Sequence, residues 1–266
     1  ALQPAIPLSF KGNTYALRPH QRMALESWRS HDFRGIMNLA TGAGKTITAI
    51  HGACSLLKAC KTMAMVIAVP YINLADQWVE ALREFNITPI KCYEGVDLWR
   101  VRLGEAIDRF PAALSFLPIV VVNATLRSDV FQDQLRRIPA DRMLWVGDEC
   151  HHHASAELAC SIPAARYRLG LSATPFDAYD EGKRDRLSAT YGDVVADYPL
   201  KQALADGVLT PYHYRVHPVS LTQDEALEYL QLSVEIGQRM GQGHGDGDEP
   251  DEYLKRLLIK RARLLG

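Results

Sequence analysis

An α/β architecture, a mostly parallel sheet with helices on both faces, follows from the order of apolar segments along this chain. Short β-branched runs alternate with longer amphipathic stretches, as a parallel sheet with crossover helices requires. Ile119–Val122 and Met143–Gly147 are continuously apolar, which is how strands buried on both faces read.

In chain order, a helix carries Met23, Leu25 and Trp28. Gly35–Ala40 reads as a strand, followed by a Gly-containing turn and a helix from about Lys45 to Lys58. Thr62–Val69 is an apolar strand that stops at Pro70. Leu74, Trp78, Leu82 and Phe85 recur at helical spacing, and Asp97–Phe110 repeats the pattern with Leu98, Val101 and Ala106. Ile119–Val122, Met143–Gly147 and the shorter Arg168–Ser172 complete the set of strands. From about Gly192 the texture changes. Leu200–Ala205 reads as a short helix ended by Gly207, and Tyr212–Val219 alternates like a strand. Gln223–Arg239 reads as a helix with Thr222 as N-cap. Gly241–Glu249 is a Gly- and acid-rich surface loop, and Asp251–Leu265 a basic amphipathic helix with a solvated face. The main domain is placed at residues 1–215 and a helical extension at 216–266.

Composition narrows the class. With 47% hydrophobic and 23% charged residues, the 266-residue chain is neither a disordered tail nor a collagen-like or coiled-coil chain. Thirty Lys+Arg against 31 Asp+Glu give a net charge of −1, so nucleic-acid binding must come from local placement of charge. No apolar run approaches the roughly 20 residues of a membrane span, so no membrane partner is expected. Five scattered cysteines without a Cys-x-x-Cys point to a reducing compartment, cytoplasmic or nuclear, with the bacterial cytoplasm foremost. The chain opens on Ala and not on a signal peptide, and reads as a piece of a longer polypeptide.

Two segments carry chemistry. Ala40-Thr41-Gly42-Ala43-Gly44-Lys45-Thr46 lies between a predicted strand and a predicted helix. A phosphate needs crowded backbone N–H groups, hence no side chains at Gly42 and Gly44, and it gains from the positive end of the following helix. Lys45 adds charge for the β/γ-phosphates, and the Thr46 hydroxyl suits Mg²⁺. The strict phosphate-loop pattern would place Gly at position 39, where this chain has Leu. The second segment is Met143–Gly147 followed by Asp148-Glu149-Cys150-His151-His152-His153. Two carboxylates at the carboxyl end of a strand divide the work: Asp148 toward Mg²⁺, Glu149 toward the attacking water. A competing zinc reading is disfavoured because Cys150 and the three histidines are consecutive and cannot all reach one tetrahedral ion, and no second Cys/His pair stands at zinc spacing. His152 and His153 are read as solvated.

Together these segments resemble the first RecA-like domain of superfamily 2 helicases, whose DExH box is matched by Asp148-Glu149-Cys150-His151. Other stretches resemble the family's motifs in the right order. They are Leu17-Arg18-Pro19-His20-Gln21 upstream, Val69-Pro70 with Leu74 and Gln77-Trp78, Ala124-Thr125-Leu126, and Ser172-Ala173-Thr174-Pro175. The stretch from Tyr191 to Tyr212 is similar to the branch containing XPB-like helicases and the ATPase subunits of type I and III restriction enzymes. The resemblance implies a RecA-like P-loop NTPase that uses ATP and Mg²⁺. It assigns Arg18 and Gln21 to adenine or ribose, and Thr41, Gly42, Ala43, Gly44, Lys45 and Thr46 to the phosphates. Thr46 and Asp148 would hold Mg²⁺; Lys45, Asp148, Glu149 and His151 would be catalytic. Ser172 and Thr174 would link nucleotide state to strand binding, and Pro70 and Thr125 would touch nucleic-acid phosphates.

It also implies a nucleic-acid-dependent ATPase, helicase or translocase, acting on DNA in preference to RNA. A second RecA-like domain is the expected partner. Fewer than 60 residues follow Pro211, so the chain alone is expected to bind Mg-ATP weakly and hydrolyse it slowly. Two other classes stay open at this point: a non-motor P-loop NTPase or kinase, and an idle scaffold. Ser172–Pro175 and His151 argue against the first, and intact Lys45, Asp148 and Glu149 against the second.

Overall fold

The computed structural model describes residues 4–10, 13–175, 181–211, 215, 219–241 and 252–265. A small antiparallel pair, β1 (Ser9–Phe10) and β2 (Asn13–Thr14), precedes helix α1 (Pro19–Ser30). Then strands and helices alternate: β3 (Arg34–Leu39), α2 (Lys45–Cys60), β4 (Met63–Val69), α3 (Ile72–Arg83), β5 (Ile90–Cys92), α4 (Val96–Arg109) and β6 (Phe116–Val122). Two short helices, α5 (Asn123–Leu126) and α6 (Asp129–Leu135), lead to β7 (Met143–Asp148). After α7 (Ala156–Ser161) come β8 (Tyr167–Ser172), α8 (Glu181–Tyr191), β9 (Val194–Tyr198) and α9 (Leu200–Ala205).

Seven strands form one sheet in the order β5-β6-β4-β7-β8-β3-β9, and every neighbouring pair is parallel. The two-residue period of a strand divides the core between its faces. On β4, Met63, Met65, Ile67 and Val69 join Trp28, Trp78 and Leu82 of α1 and α3. Ala64, Val66 and Ala68 face the other way and join Trp99, Phe131 and Tyr191 of α4, α6 and α8. The expected doubly covered parallel sheet is what forms.

Several elements differ from expectation. Leu98 and Val101 are 58% and 59% exposed, and α4 buries Trp99, Leu103 and Ile107 instead. The apolar spacing of Leu98 and Val101 was real but belonged to the outer face. β5, α8 and β9 were not anticipated. β5 has three residues, and α8 (Glu-Gly-Lys-Arg-Asp-Arg at its start) shows no apolar stripe. Most of the expected strand at Tyr212–Val219 lies outside the described residues; Arg215 and Val219 carry no strand pairing. The expected loop at Gly241–Glu249 also lies outside them, except that Gly241 closes a helix.

The chain divides into two compact units, 1–211 and 212–266. In the second, α10 (Gln223–Gly241) packs on α11 (Glu252–Arg263) through Leu232, Ile236, Leu254 and Leu257. Thr222 caps α10 in a reciprocal box: Glu225 N donates to Thr222 Oγ1 (3.3 Å) and Thr222 N donates to the Glu225 carboxylate (2.8 Å). No disulfide pairs the cysteines: Cys54, Cys92 and Cys150 are buried, Cys60 is partly covered and Cys160 is exposed. Among the described residues, no helix is long and apolar enough to cross a membrane.

Candidate active site

In a parallel sheet the carboxyl ends of all strands share one rim, where ligands collect. Register sets the order along that rim. Val69 pairs with Val122, Asp148 with Leu171, and Asn38 with Ser172. Reading across, the rim therefore presents the Asn123–Leu126 turn carrying Thr125 after β6, Pro70 after β4, Asp148 closing β7, Ser172 closing β8, and the Ala40–Gly44 loop after β3. The strand ending in Ser172 lies between the loop and the acid pair.

The loop takes a form that side chains would forbid. Gly42 and Gly44 have φ of +83° and +90°, the left-handed region that favours glycine. A Cβ on Gly44 would stand 2.6 Å from Gln21 Nε2, and one on Gly42 2.8 Å from Leu209 Cδ2. Helix α2 starts at Lys45, so its first N–H groups and positive dipole end meet the loop. Two residues of α1 hold the loop by its carbonyls. His20 Nε2 donates to Ala43 O (2.9 Å) while its ring stacks on Tyr198, centroids 4.0 Å apart. Gln21 Nε2 donates to Gly44 O (3.3 Å), and Gln21 Oε1 accepts from Arg18 N (2.9 Å). In this structure the Gln21 amide is thus committed to backbone.

Asp148 is 6% exposed. Trp78 Nε1 donates to Asp148 Oδ2 (2.7 Å), and Glu149 N donates to Oδ1 (3.0 Å). Burial raises the Asp148 pKa and the nearby Glu149 charge adds to the rise; the two N–H donors and the Lys45 ammonium oppose it. Lys45 itself donates to Leu39 O (3.2 Å), so its charge lies between the loop and the acid strand. Glu149 stands in the left-handed region (φ 44°, ψ 52°), a conformation costing a non-glycine residue about 1 kcal/mol. The strand therefore ends at Asp148, and a sharp turn separates the two carboxylates. His151 Nδ1 lies 3.5 Å from Glu149 Oε2 and 3.1 Å from Ser172 Oγ, which also accepts from Thr174 N (3.1 Å). Partial burial lowers the His151 pKa, and the neighbouring His152 and Lys45 charges reinforce this.

Two open cavities flank this line. One of about 810 Å³ is bounded by Tyr15, Arg18, Gln21, Gly42–Gly44 and Thr46, with Gln77 and Glu80 of α3 and Glu84 at its end. The other, about 500 Å³, is lined by His151, His152, Thr174, Pro175 and Lys183. The structure thus gathers the expected residues along one rim, with Pro70 and Thr125 on its β4–β6 side. Sequence reasoning missed Trp78 as the partner of Asp148, and Tyr198 as the platform for His20. It also misread His153, which is fully buried, not solvated: Asn123 and Tyr191 bind both ring nitrogens. Consecutive histidines gave no signal to separate the buried one from its neighbours.

The residues present suit a triphosphate and a divalent cation. A loop with left-handed glycines at a helix N-terminus accepts an anion, and a buried carboxylate within electrostatic reach of Lys45 offers hard oxygen to a cation. The fold is that of a RecA-like domain, a parallel sheet covered by helices on both faces. The family described as type III restriction enzyme, res subunit, matches residues 14–177, and the chain belongs to it.

Among curated relatives, the DNA 3'-5' translocase XPB2 of Sulfurisphaera tokodaii is 28% identical over 234 residues, covering 87% of this chain and 47% of the relative. The type I restriction enzyme EcoAI endonuclease subunit of Escherichia coli is 27% identical over 185 residues, covering 67% of this chain and 21% of the relative. This chain thus spans less than half the length of either. The fold is similar to a nuclease-deletion mutant of the type ISP restriction-modification enzyme LlaGI in complex with a DNA substrate mimic. That likeness has TM-score 0.58 and 16% identity, over 86% of this chain and 23% of that one. It is also similar to the Sulfolobus solfataricus SWI2/SNF2 ATPase core in complex with dsDNA, with TM-score 0.52 and 14% identity, over 99% of this chain and 60% of that one.

Proposed function

We propose that this chain supplies the first ATP-binding domain of a DNA-directed motor, and that residues 1–215 bind and hydrolyse Mg-ATP while 216–266 lead toward a second RecA-like domain. The observation that carries the reading is the rim order: the lysine loop and the buried acid flank the strand whose Ser172 meets His151. Backbone N–H groups of Thr41–Gly44 and the Lys45 ammonium would hold the phosphates. Thr46 and Asp148 would hold Mg²⁺, which supplies charge neutralisation of the β/γ-phosphates. Glu149 accepts a proton from the attacking water, its carboxylate aimed by the left-handed turn. Arg18 and Gln21 bound the base end of the cavity. His151, Ser172 and Thr174 form the polar link from that site to the strand-contacting face, where Pro70 and Thr125 meet backbone phosphates. DNA is preferred over RNA because the matched relatives include a DNA translocase and because the two solved neighbours named above are complexes with dsDNA or a DNA substrate mimic.

ATPase activity of the parent protein, measured alone, with duplex DNA and with RNA, tests this. Stimulation by duplex DNA is expected. Lys45→Ala should abolish nucleotide binding or turnover. Glu149→Gln should keep nucleotide bound and lower turnover by about 10²–10⁴. Wild-type turnover in Glu149→Gln would sink the assignment of the water-activating carboxylate.

A further inference from the structure

Below the rim, four elements meet in one buried hydrogen-bonded chain. Trp145 Nε1, on β7, donates to the Tyr191 hydroxyl at the end of α8 (2.9 Å). That hydroxyl lies 2.5 Å from His153 Nδ1 in the turn after Glu149. His153 Nε2 lies 3.1 Å from Asn123 Oδ1, on the first residue of α5. Trp145, His153 and Tyr191 are fully buried and Asn123 nearly so.

Chemistry sets the direction of every proton. An indole N–H only donates, so the Tyr191 oxygen accepts from Trp145. The Tyr191 proton needs an acceptor, because a buried unpaired hydroxyl is costly. His153 Nδ1 is the acceptor it faces. The imidazole proton then sits on Nε2 and is donated to Asn123 Oδ1. Burial pushes the His153 pKa down to about 3, so the ring stays neutral.

The chain connects two places the function uses. Asn123 begins the turn that carries Thr125, whose carbonyl accepts from Ser128 Oγ (2.7 Å), while Gln132 Nε2 donates to Leu126 O (2.7 Å). Trp145 and His153 lie on either side of Asp148 and Glu149 in sequence. Gly147 makes room for the junction: a Cβ there would stand 2.0 Å from the Tyr191 hydroxyl and 2.8 Å from His153 Nδ1. We propose that His153 and Tyr191 are positioning residues that lock the Asn123–Leu126 turn to the Asp148–Glu149 turn, so that the nucleotide site and the strand-contacting turn shift together. The proposal rests on the function given above for Thr125.

Tyr191→Phe removes the hydroxyl and keeps the ring; Asn123→Ala breaks the same chain at its far end. Two readouts on the parent protein apply. Long-range ¹H–¹⁵N NMR of the His153 ring should show the Nε2–H tautomer from neutral to mildly acidic pH. A persistent Nδ1–H tautomer overturns the relay. Affinity for a labelled duplex, with and without Mg-ATPγS, gives the coupling ratio. The ratio should be about 5-fold or more in the wild type and fall below about 2-fold in either variant, with nucleotide affinity nearly unchanged. A merely structural role would lower the melting temperature and leave the ratio intact, and that result overturns the proposal. A wild-type parent protein that binds neither nucleotide nor duplex overturns the motor function and the coupling with it, whereas the tautomer is read independently.

Discussion

At the residue scale, Asp148 shows how one side chain answers to opposing forces. Burial favours its protonated form, and Trp78 Nε1 favours the ionised one. Removing the donor in Trp78→Phe must therefore raise the carboxyl pKa further. If metal and nucleotide need the carboxylate, the acidic limb of the pH profile for Mg-ATP-analogue affinity should move to higher pH. Stability should also fall by about 2 kcal/mol, as for a hydrogen bond to a charged group. An unmoved acidic limb in a folded variant would detach Asp148 from metal binding. The candidate catalytic residues could be picked from the sequence because the chemistry proposed for them needs fixed neighbours: Gly42 and Gly44 before Lys45, and Glu149 after Asp148. Trp78 was not legible in this role, because a tryptophan at helical spacing looks like core, and it is core on every side but its N–H.

At the element scale, the strands that could be read were those in which apolar residues run unbroken, such as β4 and β7 up to Gly147. β9 escaped because Ala196 and Asp197 interrupt it, and α8 because its charges show no period. Its contribution to the core is two residues, Leu187 and Tyr191. Gly147 illustrates a strand glycine required by a neighbour and not by a turn. Gly147→Ala should cost about 1–3 kcal/mol by overpacking against the Tyr191 hydroxyl. Combining it with Tyr191→Phe should recover part of that loss, since His153 Nδ1 remains close. Chemical unfolding of the single and double variants measures the recovery; strictly additive losses would mean that the hydroxyl is not what the methyl meets.

At the scale of the whole molecule, acid should be the weak side. His153 binds its proton at about 3 in the folded chain and at about 6.5 when unfolded. Between those values the unfolded state carries more protons. Stability is therefore full above about pH 6.5 and declines as pH falls, by roughly 1 kcal/mol per pH unit from this group. Urea midpoints between neutral pH and about pH 5 should show the decline, and His153→Asn should flatten it from a lower starting stability. An equally steep slope in that variant would place the acid sensitivity elsewhere. The burial of the cysteines has a practical consequence of its own. Cys54 is held up at about 11, Cys92 and Cys150 are raised further by burial, and Cys160 is exposed. A thiol-reactive maleimide dye should therefore attach first at Cys160 on the native chain, more slowly at the partly covered Cys60, and at all five sulfurs once it is denatured. The protein carries its own fluorescent tether point, beyond the turn that follows the acid pair, with no engineering needed.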